Sequence, residues 1–244
     1  MLAAGTSGCL TYEYEHEFWL RVDGSGAVNV TGRPALWTAF KGLGESRDPD
    51  QTATRETVRA LFERSGLRVK RVTLTRRGGR PYLFISAEFD DVNKLGGTPA
   101  FPDLSLGLRR DSDRLVLEGT WSRPAQAPDI GKRDGDGLMA VRFHLPSKVY
   151  GHKNAADGVE RGNIVGWRQD VGHALTGGRL DFGAEMNPRS ILLSTVMLFA
   201  SAILLAVTIL ALGLYALVRR GRKDLAAEAK DGAISPARGG PPLG

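Results

Sequence analysis

The chain has 244 residues, 33 Lys and Arg against 27 Asp and Glu, and one cysteine. A single cysteine excludes an intrachain disulfide and a four-cysteine metal site, so any folded domain must rest on a hydrophobic core. The net charge of +6 does not mark a nucleic-acid binder: after Val218 six Lys and Arg face three acids, and the remainder is spread among carboxylates.

Cys9 follows Thr6, Ser7 and Gly8. Small residues ahead of a lone cysteine resemble the end of a bacterial lipoprotein signal, in which that cysteine takes the lipid. Cys9 is therefore the candidate lipidation site; the alternative is an ordinary thiol. Thr6 stands where the pattern has Leu, and the opening residues lack a basic n-region and an adequate apolar h-region. The expectation is a precursor that extends upstream, with residues 1–9 as the remnant of its signal.

From Thr11 to Val22 the residues alternate. Tyr12, Tyr14, His16, Phe18, Leu20 and Val22 share one face, and Glu13, Glu15, Glu17, Trp19 and Arg21 the other, which predicts a strand with one buried face. Gly24 to Gly26 supplies a turn, and 27–31 returns as its hairpin partner. Pro34 opens a short helix through Phe40, stopped at Gly42. Residues 52–65 read as an amphipathic helix with Val58, Leu61 and Phe62 on one side. Hairpins follow at 67–75 with 80–89, and at 104–108 with 114–121, with a helical turn at 90–95 between them. Residues 122–137, with Pro124 and Pro128, read as a loop. Later strands are expected at 138–145, 163–168 and 179–185. The fold class is α+β: a mostly antiparallel curved sheet covered by one or two helices.

Ile191 to Val218 holds 28 residues with no charge and no proline. As a helix it reaches roughly 40 Å, against a hydrocarbon core of about 30 Å. Lipid offers the backbone no partners, so a helix is the form such a segment takes. Arg219, Arg220, Arg222 and Lys223 follow at once and keep that end in the cytoplasm. The organisation expected is an extracytoplasmic domain at 10–187, a transmembrane helix at 190–218, and a tail at 219–244 that is basic, then Gly/Pro-rich and disordered after about Asp231.

Candidate chemistry is sparse. Glu13, Glu15 and Glu17 lie about 7 Å apart on one strand face, which reads as a solvated face. His16, His144, His152 and His173 show neither HxH nor HExxH spacing, and His16 reads as a packed core histidine. The Asp134 to Gly137 turn lacks the carboxylates of a calcium loop at 138 and 145. There is no GxxxxGK[ST], no GxGxxG between strand and helix, and no GxSxG. No metal, cofactor or catalytic residue is assigned, and an enzyme is disfavoured. What remains is apolar: Leu36, Trp37, Phe40, Phe62 and Trp167 either pack the core or line a pocket for an acyl chain.

Several motifs converge late in the chain. Phe143-His144-Leu145-Pro146-Ser147-Lys148-Val149 precedes Asn154. Then come Gly162-Asn163-Ile164-Val165-Gly166-Trp167, Leu180-Asp181-Phe182-Gly183-Ala184 and a membrane helix with a basic flank. With Ser7-Gly8-Cys9 ahead of an aromatic, charged first strand, this layout resembles the LppM-like bacterial envelope lipoproteins, over residues 7–218 in layout and 138–218 in motif. The resemblance implies an α+β domain similar to lipid-binding folds, an envelope role, binding of a lipid or glycolipid, and no catalysis. The reading that follows is a single-pass protein of a bacterial plasma membrane whose partners are the bilayer and a lipid or glycolipid. The alternative is an assembly module that docks another envelope protein. Two anchors, Cys9 and the helix preceded by Arg189, would hold any pocket toward the membrane.

Overall fold

Nine of the twelve alternating residues form β1 (Tyr12–Leu20), the axis of the first sheet. Tyr14, His16 and Phe18 are fully buried while their odd-numbered neighbours are half-buried, the period of two that a strand imposes. The computed structural model describes residues 12–43, 53–130, 135–156, 158–160, 162–188 and 191–232. Cys9, Arg189 and the segment after Gly232 lie outside these residues, and with them the lipidation, two-anchor and disorder expectations.

On one side β1 pairs antiparallel with β2 (Gly26–Gly32), and on the other it runs parallel to β7 (Leu138–His144). With β3 (Arg68–Arg77), β4 (Arg80–Phe89), β9 (Val159–Glu160) and β10 (Ile164–Asp170) they form a seven-stranded sheet in the order β3-β4-β2-β1-β7-β10-β9. A parallel pair needs a long crossover, and everything between β1 and β7 supplies it. The remaining strands, β5 (Leu104–Asp111), β6 (Arg114–Trp121), β8 (Val149–Lys153) and β11 (Leu180–Met186), make a second, antiparallel sheet in the order β5-β6-β11-β8. The α+β class and the predominance of antiparallel pairing match the sequence reading. The single curved sheet does not: β8 leaves β7 through Leu145 to Lys148 and joins β11 instead of the first sheet.

The helices also divide in role. α1 (Pro34–Lys41) begins with proline at its first turn and ends at Gly42, whose φ of 63° suits a residue without a Cβ. All eight of its residues are buried, so it is an interior element and not a cover. α2 (Arg55–Arg64) is the cover: Thr54 and Thr57 form a reciprocal capping box, and Val58, Leu61 and Phe62 are buried where the helix packs on β3 and β4. A third helix, α3 (Val171–Leu175), follows β10 directly.

Aromatic rings join the two sheets. Phe18 stacks on Phe143 at 4.6 Å, and Phe182 of β11 lies 5.9 Å from Phe143 and 5.3 Å from Trp167. Gly119 makes room for Phe182: a Cβ there would come within 2.5 Å of the ring.

From Leu192 onward the chain is a separate unit. It is helix α4 (Ile191–Gly232), with an apolar stretch of 26 residues, Thr195–Arg220, of mean hydropathy 2.6. Leu198, Leu204, Leu210 and Leu217 are all exposed on it. At 1.5 Å per residue this stretch is about 39 Å long, enough to cross a bilayer. The helix continues through Arg219, Arg220, Arg222 and Lys223.

Candidate functional site

The five apolar candidates are all fully buried. Leu36, Trp37 and Phe40 lie on α1, and Phe62 on α2. Phe40 meets Tyr14 at 4.9 Å and Trp121 at 4.8 Å edge-on, Trp37 meets Phe62 at 6.1 Å, and Phe62 meets Phe101 at 5.5 Å. Trp167 sits apart, between Phe143 and Phe182, and its indole N–H donates to the Lys153 carbonyl. These are distances of rings packed on rings.

Within this apolar interior stands a charged cluster that leaves no mark in the hydrophobic periodicity. Lys41 Nζ contacts Asp103 Oδ1 at 2.6 Å and His16 Nε2 at 3.0 Å, and the Trp121 indole N–H donates to Asp103 Oδ2 at 2.9 Å. Burial holds the His16 imidazole well below its usual pKa of 6.5, and the Lys41 charge lowers it further. The ring is therefore neutral, and with Nε2 accepting from Lys41 its proton sits on Nδ1. Burial also disfavours both charges of the Lys41–Asp103 pair, and their contact with each other offsets part of that cost. Tyr14 Oη, His16 Nδ1 and Trp37 Nε1 have no hydrogen-bond partner among the described residues.

The outer face of the seven-stranded sheet is not the open glutamate face expected. Glu13, Glu15 and Glu17 are only 15%, 20% and 22% exposed in their side chains. Arg33 contacts Glu13 at 2.8 Å, Tyr82 donates to it at 2.6 Å, and Arg142 lies between Glu15 and Glu17 at 3.6 and 3.7 Å. His144 Nε2 reaches Glu17 at 2.8 Å while its ring stacks on Trp19 at 4.7 Å. The carboxylates thus belong to an ion lattice with partners from β4, β7 and Arg33.

A concavity of about 850 Å³ opens on the four-stranded sheet. None of the five apolar candidates lines it. Strand register builds its floor in rows. One row is Gly107, Glu118, Gly183 and Lys153; the next is Val116, Glu185 and Gly151; the third is Ser105, Thr120 and Asp181. The glycines on either side of Glu118 keep the floor low, and a Cβ on Gly183 would lie 3.2 Å from the Leu117 carbonyl. Leu115, Leu117, Phe182 and Ala184 are buried in the core, so the exposed polar set of the alternation faces the concavity.

Charge is balanced across this surface. Arg114 pairs with Glu185 and lies 5.7 Å from the Tyr150 ring. Arg179 holds Asp181 at 2.6 Å and Thr120 at 3.1 Å, and Arg109 approaches Glu118 at 3.8 Å. The Arg179 contact, with the Thr120 hydroxyl, keeps the Asp181 carboxyl below its usual range. Tyr150 is 51% exposed, with its hydroxyl accepting from the Asn187 amide at 2.7 Å. Such a surface offers donors, acceptors and one aromatic face. No group of three or more His, Cys, Asp or Glu among the described residues is placed to share a metal ion.

No protein-family model matches the chain, and no curated protein sequence matches it. A solved structure similar to it is the NMR structure of the folded domain of LppM from Mycobacterium tuberculosis, at 16% identity over 73% of this chain and 91% of that one, with a TM-score of 0.36. At that level neither ligand nor role transfers.

Proposed function

We propose that this chain is a single-pass envelope protein of a bacterial plasma membrane, with residues 10–187 extracytoplasmic and the tail from Arg219 cytoplasmic. Its folded domain binds, without catalysis, the sugar-bearing headgroup of a glycolipid in the concavity on the four-stranded sheet. The observation that carries this reading is the concavity's make-up: paired carboxylates and guanidiniums around a low glycine floor, with the exposed Tyr150 ring at its side. Sugar hydroxyls accept hydrogen bonds from guanidiniums and donate them to carboxylates, and the C–H face of a sugar ring packs on an aromatic one. The volume, about 850 Å³, is in the range of small-molecule sites. The exposed apolar helix supports the membrane anchor.

An acyl chain among Leu36, Trp37, Phe40, Phe62 and Trp167 has less support, because all five are fully buried and the four aromatic ones pack against neighbouring rings. The assembly-module reading draws support from β5 and β8, the edge strands of the second sheet, which could pair with a strand of another envelope protein.

The test is mass spectrometry of lipid retained by the full chain purified from its own membrane in mild detergent. Glycolipid enriched over the bulk extract, and lost in Tyr150→Ala and Arg179→Ala, is the expected result. A lipid profile equal to the bulk extract, with a protein retained instead, would replace this reading by the assembly module.

A further inference from the structure

We propose that the tip of the β3–β4 hairpin is a second, separate surface, one that docks on anionic lipid headgroups. From Arg68 to Arg80 the chain carries six cations and no carboxylate. β3 is the edge of the seven-stranded sheet, and its side chains are exposed or half-exposed along its whole length.

The base of the hairpin is neutralised within the fold. Arg68 contacts Asp90 at 2.7 Å, and Lys70 contacts Glu88 at 3.0 Å. The distal part is neutralised only in part, with Arg80 and Arg77 facing Glu13 and Glu15 at longer range. Arg71 and Arg76 form no ion pair among the described residues, and Arg80 reaches Glu13 only at 4.0 Å. Arg77 lies 5.1 Å from the Tyr82 ring. Gly78 and Gly79, with φ of 55° and 80°, form a two-residue turn that sets Arg77 directly opposite Arg80. Like charges facing each other across a ladder repel. Both guanidiniums gain if an anion lies between them, and phosphate fits their fork in bidentate fashion.

Leu74 identifies which anion. It is 55% exposed, four residues before Gly78, and it shares a sheet face with Arg76, whereas Arg71, Arg77 and Arg80 occupy the other face. An exposed leucine with guanidiniums on both sides suits a layer that is anionic outside and apolar just beneath. Free phosphate offers no place for the leucine. Under the proposed function, on which this proposal rests, a chain anchored by the apolar helix at Thr195–Arg220 meets headgroups at high local concentration.

The test uses the full chain in nanodiscs, with Leu74→Cys in a Cys9→Ser background carrying an environment-sensitive fluorophore. Discs of phosphatidylcholine alone are compared with discs that include phosphatidylglycerol. The expected result is a blue shift, and quenching by brominated acyl chains, in the anionic discs only. Raised salt reverses both, because exposed charges are screened, and so does Arg71→Gln/Arg76→Gln/Arg77→Gln/Arg80→Gln. Those arginines are surface residues, and circular dichroism confirms that the variant is folded. Equal emission in the two kinds of disc overturns the proposal, as does a shift that survives the four substitutions. Tyr150→Ala leaves the signal unchanged, so this surface and the concavity stand or fall separately.

Discussion

Lys41 and Asp103 are 62 positions apart in sequence and 2.6 Å apart in the core, both with no side-chain exposure. Removing one member strands the other's charge where water cannot reach it. Lys41→Met should therefore cost about 3–5 kcal/mol, while Lys41→Met combined with Asp103→Leu should recover much of that loss. Chemical denaturation of the two variants beside wild type measures the difference. His16 makes stability depend on pH. Its folded pKa lies well below the 6.5 of the unfolded chain, so the unfolded state binds the extra proton first. Stability should be full above pH 6.5 and fall as the pH drops below it, by up to about 1.4 kcal/mol per pH unit. In His16→Gln, which keeps an acceptor for Lys41, that part of the slope should vanish; an unchanged slope would assign it to another group.

Elements here are held by close approach as much as by burial. Gly119 on the core face of β6 lets Phe182 bridge toward Phe143 and Trp167. Gly119→Val should force that ring aside and destabilise the domain by about 1–3 kcal/mol, the usual cost of overpacking. The same change at Gly107, where an added Cβ would meet only the Glu118 carbonyl at 4.0 Å, should cost much less. A thermal melt of each variant distinguishes them. α2 rests on its cap: Thr54→Ala removes the acceptor for the Thr57 amide and should cost about 1 kcal/mol. α1 has no exposed face, so polar substitutions that α2 tolerates on its outer side should not be tolerated anywhere along 34–41.

At the scale of the whole molecule the two units differ in what they expose. The domain buries its apolar side chains, and the helix at Thr195–Arg220 exposes them. The four cations at 219–223 should set the orientation. A reporter active only in the cytoplasm, fused after Gly244, should be active. Replacing Arg219, Arg220, Arg222 and Lys223 with Gln should lower the share of molecules in that orientation. A reporter that works only when fused ahead of Ile191 would invert the topology and, with it, the leaflet that the β3–β4 hairpin could meet.

What was legible in the sequence was local. Alternation at 12–20, the glycine turns near 24 and 78, Pro34 and Gly42 around α1, and the unbroken apolar run after Ile191 all act through neighbours a few residues away. Each therefore leaves a pattern that can be read without a fold. Tertiary structure alone decided partners. Period two says which side chains share a face, not which strand lies alongside, so the parallel match of β1 with β7 and the split into two sheets had no local sign. β8 escaped notice because, of its five residues, Val149 alone is buried. The glutamates of β1 looked solvated because their cations come from Arg33 and Arg142, distant in sequence. The concavity was hidden for the same reason: its floor exists only once Gly107, Glu118, Gly183 and Lys153, drawn from four strands, fall into one row.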